Sequence, residues 1–206
     1  KIITFVGKLN RAKGYDIFGS AIIDILNDNT DWSAIVIGDE EREKLEFNHE
    51  RLNLLGFKNH DEVIKIFKRT SISVVCSSWD EPFGRTSLES ASCGCAVIIT
   101  NRGGLPETIT NGIILKNLSK KNLYDEISNL IKNTKYRREI QRLSLRNFNL
   151  THKNASIEID NYRNEILLGS NSNKNSLMTK IKILHVTNFN ERHNGRLFYN
   201  TGKRIN

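Results

Sequence analysis

The strongest constraint on the fold is an alternation of short, continuously apolar segments with longer segments of helical periodicity. Ile2–Val6 and Ala96–Thr100 are rich in β-branched residues and do not alternate with charged ones. Strands of this kind are buried on both faces, as in parallel sheets. Between such strands, apolar residues recur at helical spacing, as at Phe18, Ile22 and Ile25. The pattern predicts an α/β fold, a doubly wound parallel sheet with helices on both faces.

The same reasoning extends along most of the chain. Further strands are predicted at 33–37, 51–55, 72–76 and 112–115. Helices are predicted around 63–67 and 88–93, and the pattern is helical throughout 119–168. We therefore expect one domain over residues 1–168.

The composition changes after residue 168. Residues 169–180 begin with a polar, Asn- and Ser-rich stretch typical of a flexible linker. Residues 181–206 open with a strand-like segment and predict the incomplete start of a second domain, with a disordered basic tail as the alternative. The chain begins with Lys1, and its single methionine is Met178. We therefore expect either a processed chain or a piece of a longer protein.

Charge and cysteine content narrow the class of protein. The formal net charge is +8, but residues 169–206 carry +6 of it, so residues 1–168 are nearly neutral. This argues against a nucleic-acid partner, because such binding needs a concentrated basic surface. Cys76, Cys93 and Cys95 lie in apolar or small-residue contexts and are best explained as reduced thiols of a cytoplasmic protein. A zinc site at Cys93 and Cys95 is a weak hypothesis, because no second ligand pair is near.

Three loops after predicted strands are chemically coherent, and they have the most weight because ligands of such sheets bind at the carboxyl ends of the strands. The first loop, 7–14, holds Lys8, Arg11 and Lys13 between two glycines. Cations and glycines at a helix N-terminus form a diphosphate environment, although a solvated basic turn explains this loop alone equally well.

The second loop, 79–89, has Glu81 and Glu89 separated by seven residues, with Gly84 at a predicted helix start. Helix starts have unpaired amide donors. The combination of residues in this loop is too specific to be explained as a solvent-facing acidic stretch. A third loop, 101–107, has paired glycines before a proline and predicts further exposed amides at a helix N-terminus.

Together these strings resemble the C-terminal, donor-binding domain of the group 1 (family 4, GT-B) retaining glycosyltransferases. The resemblance covers about residues 1–168, and its most specific element is the E-x7-E string from Glu81 to Glu89 within Glu-Pro-Phe-Gly and Ser-Leu-Glu-Ser-Ala-Ser-Cys-Gly-Cys. It implies a Rossmann-like half of a GT-B fold. Residues 181–206 resemble the first strand of another such enzyme's N-terminal domain.

The resemblance also implies roles for individual residues. Lys13 would bind the donor diphosphate together with Lys8, which stands where the family commonly has arginine. Arg11 would compensate for the bidentate contact that a lysine cannot make. Glu81 would face the hydroxyls of the donor sugar, and Glu89 would accept hydrogen bonds from the ribose. The remaining donor-binding positions are in the basic loop, in the nucleobase region and at the helix start: Gly7, Gly56, Phe57, Gly84, Arg85 and Thr86.

The reaction implied is transfer of a hexosyl-type sugar from a nucleoside-diphosphate sugar to an acceptor, with retention, in polysaccharide biosynthesis. We expect no metal and no cofactor, because lysines and helix N-termini can stabilise the leaving diphosphate and no acidic cluster adjoins the basic loop. The acceptor, sugar, lipid-linked or polysaccharide, and any peripheral contact with the inner face of the cell membrane would belong to the other half. The alternative is a nucleotide-sugar binding module, and we expect this chain alone to bind without turnover.

Overall fold

The computed structural model describes residues 1–169, and its centre is one parallel sheet. In this part of the chain the strands are β1 (Ile2–Val6), β2 (Ser33–Ile37), β3 (Leu52–Leu54), β4 (Ile72–Val75), β5 (Ala96–Thr100) and β6 (Ile113–Leu115). They are ordered β3-β2-β1-β4-β5-β6, and every pair is parallel. The predicted α/β class and doubly wound sheet are confirmed. The predictions for residues 170–206 lie outside the described residues.

Helices connect β1 to β2, β3 to β4 and β4 to β5, and three more helices follow β6 in the described part of the chain. They are α1 (Tyr15–Asp28), α2 (His60–Phe67), α3 (Arg85–Ser92), α4 (Lys120–Lys132), α5 (Thr134–Arg146) and α6 (His152–Gly169). The compact unit that contains the sheet is Lys1–Asn154, and a second unit begins at Ala155. None of the described helices is long and apolar enough to cross a bilayer.

The core lies on both faces of the sheet. Ile98 and Ile99 are both fully buried, and they belong to two different apolar clusters. The cluster that contains Ile98 includes Ile22 of α1 and Ile127 of α4, and the other includes Phe67 of α2. Successive side chains of a strand point to opposite faces, so the continuous apolar strands are explained by helices on both sides.

Polar residues set the ends of the helices more sharply than the apolar pattern predicts. The region predicted as helical from 119 to 168 is three helices. Asn133 separates α4 from α5, and its side chain accepts a hydrogen bond from the Tyr136 amide at 3.0 Å. A capping asparagine begins a new helix because it satisfies an amide that lacks an intrahelical partner. Asn59 and Glu62 likewise form a capping box at the start of α2.

The three cysteines are free thiols, and two of them are buried in the core. Burial raises the pKa of Cys76 to about 12, and it also raises the pKa of Cys95. Both side chains therefore remain protonated at neutral pH. Among the described residues, no three His, Cys, Asp or Glu side chains converge as a metal site would require.

Candidate functional site

The candidate site lies where the strand order reverses. β1 pairs with β2 on one side and with β4 on the other. Such a reversal opens a crevice at the carboxyl ends of the two central strands, because the chain leaves them toward opposite faces of the sheet. The loops that follow β1 and β4 are the two loops that carry the strongest sequence signals.

A lysine and a glutamate from these two loops form an ion pair. Lys13 Nζ lies 2.5 Å from Glu81 Oε1, and the two side chains are 33% and 12% exposed. Both residues line a cavity of about 90 Å³ together with Gly7, Gly84 and Thr86. The pair thus places one cation and one carboxylate, largely shielded from solvent, at the topological switch point.

Lys13 is held in place by a short 3-10 turn, Arg11–Lys13. The Asn10 side chain accepts a hydrogen bond from the Lys13 amide at 3.0 Å. Gly14 follows with φ +71°, and a Cβ there would collide with the Cys76 carbonyl group. The first loop therefore packs directly on the end of β4, which brings Lys13 to the loop of Glu81.

The third predicted loop packs against the backbone of Glu81. The Gly104 amide donates to the Glu81 carbonyl oxygen at 2.7 Å. Gly103 has φ +53°, and a Cβ there would run into the Glu81 backbone. The prediction that this loop exposes amides at a helix N-terminus is therefore wrong for Gly104, because its amide is used within the protein. The element that follows is a 3-10 turn, Leu105–Thr108.

The start of α3 completes the cavity. Gly84 caps the helix with φ +99°, and no side chain caps this end. The Leu88 amide donates to the Gly84 carbonyl at 3.2 Å, so Arg85 and Thr86 lie in the first turn, before the helical ladder begins. Both residues line the cavity beside Lys13. A helix N-terminus favours negative charge, so the cavity suits an anionic group.

Glu89 lies in α3, outside the cavity lining. Its Oε1 lies 3.3 Å from Arg85 Nη2 and 3.6 Å from His60 Nδ1, and its side chain is 20% exposed. The two carboxylates of the E-x7-E string therefore occupy different environments. His60, at the start of α2, is a neighbour of Glu89 that the sequence analysis missed.

The other predicted site residues are more exposed. Lys8 lies on the surface of the first loop, and Arg11 forms an ion pair with Glu43, which turns that guanidinium to the segment after β2. Gly56 and Phe57 follow β3, and Phe57 is 75% exposed. The structure thus brings Lys13, Glu81 and the start of α3 together, while these four positions do not line the cavity.

Ser77 is a cavity residue that sequence reasoning also missed. It is buried two residues after the end of β4, lines the same cavity, and donates from Oγ to Glu81 Oε1 at 2.6 Å. Its position as the first polar residue after a buried strand was the available signal, since ligands of such sheets bind there.

Comparison with protein families and curated proteins gives a consistent assignment. The family model described as "Glycosyl transferases group 1" matches residues 1–144. Spore coat protein SA of Bacillus subtilis is 29% identical over 163 residues, covering 71% of this chain and 43% of that protein. The chain spans less than half the length of the curated relatives that it matches.

Solved structures share the same architecture. The C-terminal domain of a glycosyl transferase group 1 family protein (LpcC) from Francisella tularensis has a TM-score of 0.63 and 28% identity, covering 70% of this chain and 82% of that domain. The Anabaena protein HepE, solved in complex with UDP-glucose, has a TM-score of 0.61 and 20% identity, covering 77% of this chain and 48% of its own. At that identity the second likeness concerns the fold alone.

Proposed function

This chain belongs to the glycosyl transferases group 1 family, and on that premise we propose that its sheet domain binds a nucleoside-diphosphate sugar as donor. The observation that carries the proposal is the Lys13–Glu81 pair at the switch point, beside the start of α3. A cation and a helix N-terminus suit the diphosphate, and a carboxylate suits the sugar hydroxyls. HepE, a protein with the same fold, was solved with UDP-glucose, which supports this ligand class.

The proposed reaction is metal-independent transfer of a hexosyl-type sugar with retention. Cleavage of the bond between sugar and phosphate leaves negative charge on the nucleoside diphosphate, and that charge needs stabilisation by preorganised donors. Lys13 and the first amides of α3 are in position to supply it. Glu81 would orient the sugar by accepting hydrogen bonds from its hydroxyls, while Lys8 would add a second, surface cation.

For the 206-residue chain alone we propose binding without turnover. The cavity of about 90 Å³ is smaller than the roughly 300–1,000 Å³ of ligand pockets that enclose a small molecule. It can surround a phosphate group and leave the sugar and the base on an open surface. An acceptor and a second wall would then have to come from elsewhere, which agrees with the partial coverage of the relatives.

Calorimetric titration of the chain tests the proposal. The ligands are UDP, GDP, ADP, UDP-glucose, GDP-mannose and ADP-glucose, each titrated once in EDTA and once in Mg²⁺. We expect at least one diphosphate and its sugar conjugate to bind with the same affinity in EDTA as in Mg²⁺, because Lys13 and α3 neutralise the phosphates. Absence of heat with all six ligands, using folded protein, would contradict the proposed binding. Binding that needs Mg²⁺ would contradict metal independence.

Replacing Glu89 with alanine is expected to weaken binding of the preferred nucleoside diphosphate by about 10–100-fold. A hydrogen bond to a charged group contributes ~1.5–3 kcal/mol, and each ~1.4 kcal/mol is tenfold in affinity. Titration with the 2′,3′-dideoxy analogue isolates the cause, because that ligand lacks the hydroxyls and should bind wild type and variant equally.

Glu107→Ala is the control for the loss of one negative charge. Glu107 is exposed in the 3-10 turn Leu105–Thr108. We expect this variant to bind like the wild type. If Glu89→Ala also binds like the wild type, then Glu89 has no part in ribose recognition.

A further inference from the structure

The Ser77 hydroxyl shares one carboxylate oxygen with Lys13. Glu81 Oε1 receives Ser77 Oγ at 2.6 Å and Lys13 Nζ at 2.5 Å. In the described part of the chain, no donor is bonded to Glu81 Oε2. Glu81 Oε1 therefore accepts two hydrogen bonds within the protein, and Oε2 is available to a ligand.

The two donors to Glu81 differ in how firmly they are held. Ser77 is 1% exposed and lies two residues after the end of β4, and its carbonyl accepts a hydrogen bond from Thr100 Oγ1 of β5 at 2.7 Å. Its hydroxyl is thus carried by the rigid edge of the sheet. Lys13 contacts Glu81 through a long, flexible side chain that is one-third exposed. Lys13 can leave the carboxylate, whereas Ser77 is anchored beside it.

Ligand binding would separate these donors. The inference rests on the function proposed above, in which Lys13 contacts the diphosphate. When Lys13 turns to the phosphate oxygens, Glu81 loses its charged partner while remaining mostly buried. A buried carboxylate without donors is strongly destabilised, so a carboxylate held only by Lys13 would reorient or follow the lysine.

We propose that Ser77 is a positioning residue for donor-sugar recognition. Its hydroxyl holds Glu81 Oε1 after Lys13 has moved to the diphosphate, so that Oε2 remains directed to the sugar. The hydroxyl acts through Glu81 and has no role in contacting the diphosphate. Loss of the hydroxyl therefore affects the sugar-bearing ligand and spares the diphosphate alone.

Calorimetry on the 206-residue chain tests this with Ser77→Ala, using the diphosphate and the sugar conjugate that bind best in the panel above. We expect the sugar conjugate to bind about tenfold more weakly, equivalent to ~1.4 kcal/mol, with the diphosphate unchanged within about twofold. Ser77→Thr, which keeps the hydroxyl, should restore binding. Ser77→Cys leaves no gap at this position but has only a weak donor, so it should reproduce the loss even if Ser77→Ala fails to fold.

Ser144→Ala is the matched control for loss of one buried serine hydroxyl. Ser144 lies in α5, is fully buried, and donates one hydrogen bond to the Asn111 carbonyl at 2.7 Å. We expect this variant to lower stability without changing the ratio of the two affinities. On a Glu81→Ala background, which lacks the acceptor for the Ser77 hydroxyl, Ser77→Ala should add nothing further to the loss of sugar-conjugate binding.

Three results would overturn the proposal. They are an equal loss for diphosphate and sugar conjugate, wild-type binding by Ser77→Ala, and full additivity with Glu81→Ala. In each case, the proposed function stays intact as long as the unmodified chain binds both ligands. Failure of the wild type to bind any ligand would instead remove the proposed function, and this proposal with it.

Discussion

Replacing Gly14 with alanine is expected to lower the free energy of unfolding by about 2–5 kcal/mol. Gly14 has φ +71°, where an L residue is disfavoured by ~1–2 kcal/mol. A Cβ at this position would also collide with the Cys76 carbonyl group, and relieving such overpacking costs about 1–3 kcal/mol more. Urea denaturation of the chain measures the difference directly.

Gly56→Ala is the matched control for the Gly14 variant. Gly56 has a similar φ of +65°, but a Cβ there would meet nothing within 4 Å. It should lose only the conformational part, about 1–2 kcal/mol. Equal destabilisation by the two substitutions would show that the close approach of the first loop to β4 contributes nothing.

The Gly14 variant should also lose ligand affinity, because the collision separates the two loops of the site. Ser78 donates its amide to the Ala12 carbonyl at 3.0 Å and its hydroxyl to the Arg11 carbonyl at 2.9 Å. A shift of the first loop breaks these bonds and moves Lys13 away from Glu81. Calorimetry under conditions where the variant is still folded distinguishes this effect from unfolding.

The architecture was largely predictable because strands that are buried on both faces are continuously apolar in sequence. Ile2–Val6, Ser33–Ile37 and Ala96–Thr100 have the predicted bounds, and each belongs to the interior of the sheet. The third strand is shorter than predicted. β3 is an edge strand with its Asn53 and Leu54 side chains exposed. The apolar pattern of the sequence therefore defines the ends of this strand less clearly.

The loops that form the candidate site were predictable from the sequence, whereas the contacts between their side chains were less so. Lys13 and Glu81 are 68 residues apart, and only the pairing of β1 with β4 brings them together. Sequence patterns place residues on elements but do not reveal which side chains meet. Arg11 shows this, because its pairing with Glu43 depends on how the segment after β2 folds back. The sequence analysis missed Ser77 because its one signal, a polar residue after a buried strand, does not distinguish it from an ordinary loop serine.

The substitution with the largest expected effect on ligand binding is Lys13→Ala. Lys13 is the cavity-lining lysine of the basic loop, beside the first turn of α3. Its removal would delete the proposed charge-assisted contact to the diphosphate and leave Glu81 facing the phosphates. Both changes disfavour an anionic ligand, so we expect the affinity for the preferred nucleoside diphosphate to fall about 100-fold or more, equivalent to at least ~2.7 kcal/mol.

Lys116→Ala controls for the loss of one positive charge. Lys116 is exposed, directly after β6, and its replacement should leave binding within about twofold of the wild type. Lys8→Ala should have an intermediate effect, because Lys8 lies on the surface of the same loop, where solvent screens its charge. Equal losses from all three substitutions would mean that the diphosphate responds to net charge only, and the site assignment would fail.

The double variant Lys13→Ala, Glu81→Gln separates the two consequences of losing Lys13. Breaking a shielded ion pair leaves an uncompensated carboxylate, and neutralising Glu81 removes that charge while the amide oxygen can still accept from Ser77. We therefore expect the double variant to recover stability relative to Lys13→Ala, measured by urea denaturation. Its diphosphate affinity should improve only in part, since the phosphate-binding cation is still missing. Full recovery of affinity would show that Lys13 acts by neutralising Glu81, and that the diphosphate is held by the start of α3 alone.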